Sequence, residues 1–167
     1  MSGTDRGTVS AGQDLRLIGP DDLTVQLACG LHYSRQDPYA VRMSLDAGRE
    51  EPVTWHVSRD LLAAALLGPE GVGDIRAWPS FAPAAPGTPA PGTPALGTPA
   101  PGSTADGGIR GKILNIELGP LDGYSRFEAS AAGIAAFLAQ TYELVPEGEE
   151  TGYLNIDAGL AELLSEA

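Results

Sequence analysis

One cysteine and two histidines stand among the 167 residues, and each scarcity closes off a class of chemistry. With Cys29 alone, no internal disulfide framework can form. A structural zinc site needs several His, Cys or carboxylate ligands converging, and two histidines are a poor start on that set. Long apolar runs are missing as well. Nothing approaches the ~18 consecutive residues of a membrane helix, so no direct membrane insertion is expected. The opening residues, MSGTDRGTVSAGQD, hold no apolar stretch of the secretory-signal kind, and these shortages together point to the cytoplasm. Positive charge is the last scarcity: 10 Lys plus Arg face 22 Asp plus Glu, for a formal net charge of −12. A surface of that sign repels phosphate backbones, and no run of basic residues marks a local exception. Nucleic acid is not an expected partner.

Proline, glycine, alanine and threonine are abundant in one place. From Pro83 to Thr104 the chain reads PAAPGTPAPGTPALGTPAPGST, with the unit APGTP at Ala85 and Ala90, ALGTP at Ala95 and APGST at Ala100. A period of five excludes collagen, which needs glycine at every third position, and solenoids need ~20–50 residues per unit. These residues offer almost no apolar bulk to offset ordering entropy, so 81–107 is expected to be disordered and semi-extended. A proline-rich ligand reading is weaker, because no basic residue orients a PxxP-type core.

The flanks read as strands and helices. VQLACGLHY places Val25, Leu27, Cys29, Leu31 and Tyr33 on one face. SRQDP makes a turn in which Pro38 presets a backbone torsion. VRMSLD alternates Val41, Met43 and Leu45 against polar residues, and VTWHV sends Val53, Trp55 and Val57 inward. Strict period-two alternation over three successive strands predicts an antiparallel sheet with one face buried, preceded by a shorter strand over Leu15 to Ile18. In SRDLLAAALLGPEG the period changes: Ser58 is an N-cap, Leu61, Leu62, Ala65 and Leu66 form a stripe, and Gly68-Pro69 stops the helix. GVGDIRAWP returns to strand and Pro79 ends it. Beyond the run, KILNIEL and YSRFEA form a hairpin. Ser130 caps a helix with Ile134, Phe137, Leu138 and Thr141 on one face, VPEGEE breaks it, and Asp157 begins a final helix carrying Leu160, Leu163 and Leu164.

Neither flank builds a comfortable core alone, because one lacks strands and the other lacks covering helix. The domain plan is therefore a flexible tail over 1–12 and one domain over 13–167, interrupted by the insertion at 81–107. Lengthening a ~4-residue connection to ~27 residues costs only about 2 kcal/mol of closure entropy.

His32 and His56 fall on the polar faces of neighbouring strands, and Cys29 points to the opposite face from His32, so exposed, unliganded histidines are expected. GPEGVGD follows a helix instead of preceding one and lacks the Lys-Ser/Thr of a phosphate loop. No GxSxG occurs, and Cys29 sits in an apolar row as a structural thiol. Glu143, Glu147, Glu149 and Glu150 cluster at a helix end without a pocket to separate their pKa values, which describes a solvated acidic surface. Asp60 at a helix start suits the dipole. No catalytic, metal or cofactor site emerges.

Four words occur in a telling order: DPYAVRM (37–43), SRDLL (58–62), PEGVGDIRAWP (69–79) and FLAQTYELVPEGEE (137–150). In them the chain resembles the SsgA-like proteins, sporulation and cell-division regulators of actinobacteria, over roughly Leu15 to Leu164 apart from the insertion. It departs in having Val57-Ser58 where the family word usually reads Phe-Ala, and in the insertion itself. The resemblance implies an α+β fold: a bent antiparallel sheet with packed helices, similar to the Whirly-like fold, assembled as a homo-oligomer, a trimer. It implies a cytoplasmic adaptor without catalysis or cofactor, recruited to the septum, whose partners are other SsgA-like proteins and the tubulin-like division protein. A single-stranded nucleic-acid-binding module is the alternative. The family-motif residues are Asp37, Pro38, Tyr39, Trp55, Arg59, Asp60, Asp74, Trp78, Pro79, Thr141, Pro146, Gly148 and Glu149. They are expected to be mainly structural, with Asp37, Pro38 and Tyr39 in a turn, Asp60 near a helix start and Trp78 beside a strand end.

Overall fold

Alternating apolar residues set the strands, and two serines that each end a strand start the helices. A computed structural model describes residues 3–5, 7–20, 23–46, 48, 51–81, 111–119 and 123–154. The first long strands are β2 (Thr8–Ile18), β3 (Thr24–Ser34), β4 (Asp37–Asp46) and β5 (Val53–Ser58), with a short β1 (Gly3–Asp5) beside the start of β2. Helix α1 (Arg59–Ala65) follows β5 directly. A second set, β6 (Glu70–Val72), β7 (Ile75–Phe81), β8 (Lys112–Leu118) and β9 (Ser125–Ser130), leads straight into α2 (Ala131–Leu144). A 3-10 turn over Glu150–Tyr153 comes last. The chain thus runs twice through four antiparallel strands and a helix.

All pairings are antiparallel, in the order β5-β4-β3-β2-β9-β8-β7-β6. Strand β2 joins the two sets. One edge pairs with β3 along its whole length, whereas the other meets β1 over Thr8–Ser10 and β9 over Arg16–Ile18. Helix α1 touches β4 and β5 and also β6 and β7, which lie at opposite ends of the strand order. The sheet therefore curls around its helices, and the architecture is α+β.

The concave side holds the core. Leu15, Leu31, Met43, Leu62, Leu114, Ile116, Ile134 and Phe137 are almost wholly buried there, each contributing about 1.5–3 kcal/mol by removal from water. The expected helical face of Ile134, Phe137, Leu138 and Thr141 is buried as a unit. Ser58 Oγ accepts from Leu61 N–H at 3.3 Å and Ser130 Oγ from Gly133 N–H at 3.2 Å, so the same cap starts both helices. Gly133 also lets α2 lie close on β2, since a Cβ there would collide with the Gln13 amide.

Several boundaries differ from expectation. Residues 8–12 belong to β2, not to a tail: Val9 is fully buried opposite Tyr33. Its apolar signal is Val9 and Ala11 among polar residues, too thin to register as a strand. Asp37, Pro38 and Tyr39 are not in the turn, which is Arg35-Gln36. They open β4, where the register shifts by a bulge between Tyr33 and Ser34, and proline is tolerated at such a place. Pro79 does not end its strand, and Trp78 lies mid-strand rather than beside an end. Strand β6 stops opposite Ala77, so Pro79 sits where β7 has lost that neighbour and no ladder donor is required there. Phe81, counted with the insertion, closes β7 opposite Lys112. The rest of the insertion and the final helix at Asp157 fall outside the described residues.

Because β7 and β8 are direct neighbours, residues 82–110 connect the two ends of one hairpin. Replacing them with a four-residue turn is expected to leave the fold intact and raise its stability by about 2 kcal/mol through shorter closure. Urea denaturation measures this. A chain that no longer folds would show instead that the segment contributes core contacts.

Candidate functional site

Strand alternation sends Val57 inward and Ser58 outward, so the next residue, Arg59, turns toward the core as α1 begins. Its side chain is 1 % exposed. Nη1 donates to Tyr33 Oη at 2.9 Å, to the Val145 carbonyl at 2.8 Å and, at 3.4 Å, to that of Thr141. Nη2 pairs with the Glu150 carboxylate. The guanidinium lies 4.3 Å from the Tyr142 ring centroid and 5.2 Å from that of Tyr33. Tyr33 Oη in turn donates to the Pro38 carbonyl at 2.9 Å. One cation thus ties together β3, β4, α1, the end of α2 and the 3-10 turn.

The turn after α2 delivers the carboxylate. Glu149 N–H donates to the Pro146 carbonyl at 3.1 Å, and Gly148, at φ +83°, takes the third position of this four-residue turn, where left-handed backbone suits glycine. The chain then coils so that Glu150, not Glu149, reaches Arg59. Glu150 is buried, contrary to the solvated acidic surface expected of the four glutamates, while Glu143, Glu147 and Glu149 are exposed. Its carboxyl is held below its ordinary value, first by its own backbone N–H and then by Arg59, against the opposing effect of burial. Burial pushes the Tyr33 hydroxyl up to about 12, so it remains a neutral donor.

Of the motif residues, Pro38, Tyr39, Arg59, Thr141, Pro146, Gly148 and Glu149 gather around this centre. Tyr39 Oη hydrogen-bonds Thr151 Oγ1 at 3.2 Å, and Thr141 Oγ1 donates to the Leu138 carbonyl at 2.7 Å. Asp60 is exposed in the first turn of α1. The GDIRAWP residues lie elsewhere. The Asp74 carbonyl accepts from Gly119 N–H at 3.0 Å, and Trp78, on the convex face, carries the Arg126 guanidinium 5.6 Å from its ring centroid. Beneath them Asn115 is buried, donating to Ser80 Oγ at 2.8 Å and accepting from Arg126.

Trp55 belongs to a third region. At the end of the concave face away from the arginine, Leu17, Leu27, Leu45, Val53, Trp55 and Phe127 line an apolar groove of about 380 Å³. Val25 and Val53, expected inward, are 52 % and 37 % exposed at this end, where neither helix covers the sheet. Sequence alternation identifies which face they occupy but not where the helices stop covering it.

Cys29 is buried, its thiol pushed up to about 11 by burial, as a structural residue should be. His32 and His56 are not on neighbouring strands, since Arg42 of β4 stands between them. Among the described residues, no three His, Cys, Asp or Glu side chains are placed to hold a metal ion. No described helix is long and apolar enough to cross a membrane.

Comparison with known proteins places this geometry. The family model described as Streptomyces sporulation and cell division protein, SsgA, matches residues 27–88. The sporulation-specific cell division protein SsgB of Thermobifida fusca is 38 % identical over 151 residues, covering 90 % of this chain and 91 % of the relative. SsgB of Streptomyces coelicolor is 32 % identical over 160 residues, covering 96 % and 98 %. A crystal structure of an SsgA-like sporulation-specific cell division protein from Thermobifida fusca superposes with a TM-score of 0.70 at 35 % identity, covering 96 % of this chain and 98 % of that one. A second solved structure, of an SsgB whose mutations correlate to longitudinal cell division during sporulation of Streptomyces coelicolor, gives 0.67 at 31 % identity, covering 91 % and 100 %. The fold is that of small sporulation-specific cell-division proteins. The chain belongs to the SsgA-like family.

Arg59→Met should lower stability by about 3–5 kcal/mol, because it leaves buried acceptors without their donor. Glu150→Gln should cost less. A carboxyl held below its ordinary value stabilises the fold above that ordinary value and loses the contribution as pH falls through its folded pKa. Urea midpoints at pH 7 and in the acid range should therefore fall more steeply for the native chain than for Glu150→Gln. Parallel profiles would show that the pair contributes nothing to the pH dependence.

Proposed function

We propose that this chain is a non-catalytic adaptor in sporulation-specific cell division. It acts in the cytoplasm, is recruited to the septum, and helps to position or activate septum formation and wall remodelling through protein–protein contacts. Its partners in this reading are further copies of itself in a trimer, other SsgA-like proteins and the tubulin-like division protein. The names of the relatives support the biological setting.

The apolar groove carries the contact mechanism. A surface with exposed Val53 beside Trp55, and exposed Val25 opposite the groove residue Leu17, loses free energy in water at roughly 25 cal/mol per Å², and contiguous apolar patches of this kind mark association sites. A second copy is its occupant: the patch is built from strand ends, where a symmetric subunit can lay a matching row. The repeated order of four strands and a helix supports the Whirly-like description of the subunit. Nucleic-acid binding has less support. The chain carries 22 acidic residues, and Trp78 and Tyr124, the convex-face aromatics, already have Arg126 and Arg76 against their rings, whereas base stacking needs an open platform.

Two measurements test the reading. Val53→Glu should weaken self-association at least tenfold, about 1.4 kcal/mol, by light scattering across concentrations, with the circular dichroism spectrum retained. A fluorescent fusion imaged beside a division-ring marker in a sporulating actinomycete should form foci or ladders at nascent septa. A signal spread over the nucleoid would sink the adaptor reading.

A further inference from the structure

The convex face of the first strand set carries a cluster that the adaptor reading does not use. His32 of β3, Arg42 of β4 and His56 of β5 are direct cross-strand partners in one row. Side chains so placed have Cβ atoms ~4.5–5.5 Å apart, so Arg42 has an imidazole on each side. With Ser34, Gln36, Asp37 and Ala40 they line a hollow of about 230 Å³. On the β2 side, Ser10 Oγ lies 2.9 Å from His32 Nδ1, which engages that nitrogen and leaves Nε2 for the hollow. Among the described residues Arg42, like Arg35 and Arg76, makes no ion pair. The DPYAVRM word thus supplies three of the lining residues, Asp37, Ala40 and Arg42.

We propose that His32, Arg42 and His56 form a binding site for a phosphate group in this hollow. The two imidazoles are two strand spacings apart, ~9–10 Å between backbones, with the arginine midway. A carboxylate is satisfied by the guanidinium fork alone. A tetrahedral dianion turns oxygens to the fork and to both flanking rings, so it makes use of all three.

Charge balance makes the site sensitive to pH. Asp37 offsets Arg42, and the next carboxylates along this face, Asp14 and Asp46, stand four residues along their strands from Ser10 and Arg42. With His32 neutral these charges balance, and a proton on His32 makes the hollow positive. Burial, and after it Arg42, hold His32 below its ordinary value. A bound dianion opposes this shift, so binding takes up protons and tightens as pH falls from 8 toward 6.5. Below ~6 an esterified phosphate loses its second charge, and affinity declines again.

Calorimetric titration of the full chain tests the site, with sodium phosphate and glycerol 3-phosphate as separate arms and sodium acetate as the control. Binding is expected at pH 6.5, about tenfold weaker at pH 8.0, and lost in Arg42→Gln. His56→Gln should weaken it, both variants keeping the native circular dichroism spectrum. Val53→Glu, on the opposite face, should retain it even where self-association is lost. Binding of inorganic phosphate alone would support the site and assign it to the free ion, and binding of glycerol 3-phosphate alone would assign it to an ester. No binding in either arm, acetate binding as tightly as phosphate, or an affinity indifferent to Arg42→Gln or to pH would each overturn the proposal.

Discussion

The structure depends most on Arg59. Moving a guanidinium out of water costs several kcal/mol unless its donors find partners; Nε has none among the described residues, and the partners of Nη1 and Nη2 come from separate parts of the chain. Tyr33 arrives on β3, the Thr141 and Val145 carbonyls at the end of α2, and Glu150 on the 3-10 turn. The donors lie in a rigid plane, so the partners are held in position relative to one another as well as to the arginine. Lysine would supply the charge without that plane. Several motif words that seem unrelated along the sequence are therefore contributions to one centre.

Much of the fold is legible before any coordinates, for identifiable reasons. Strands β3, β5 and β8 show through period-two alternation, and both helices through a serine followed by a helical stripe. The first half of β2 does not, because Val9 and Ala11 are its only apolar residues. Proline misleads twice. Pro38 and Pro79 look like turn and stop signals, yet each occupies a place in a strand where the ladder makes no demand on it. Glu150 cannot be told from Glu149 by residue type, since the distinction rests on the turn at Gly148. Arg59 could have been found by carrying strand alternation one residue past Ser58.

The two faces of the sheet divide the remaining work. Inside, the core is closed by α1 and α2 near the arginine and left open at the Trp55 end, so the apolar groove there is continuous with the hydrophobic interior. Outside, polar rows cross the strands: Ser10-His32-Arg42-His56 on the first set, and Trp78-Asn115-Glu128-Arg16 running from the second set onto β2. A curled sheet lets a small chain present these two chemistries in different directions.

The seam between β2 and β9 has a kinetic consequence. It brings Arg16 to Glu128, 112 residues apart in sequence, whereas the other strand pairs join neighbours along the chain. Local hairpins form in microseconds, but a contact of that separation must first close most of the polypeptide into a loop. The two strand sets can therefore take shape early and independently, while their union through β2 waits. Until it forms, the Arg16–Ile18 end of one β2 edge lacks its β9 partner, so the interval before closure is when the nascent chain is most exposed to pairing with the wrong strand.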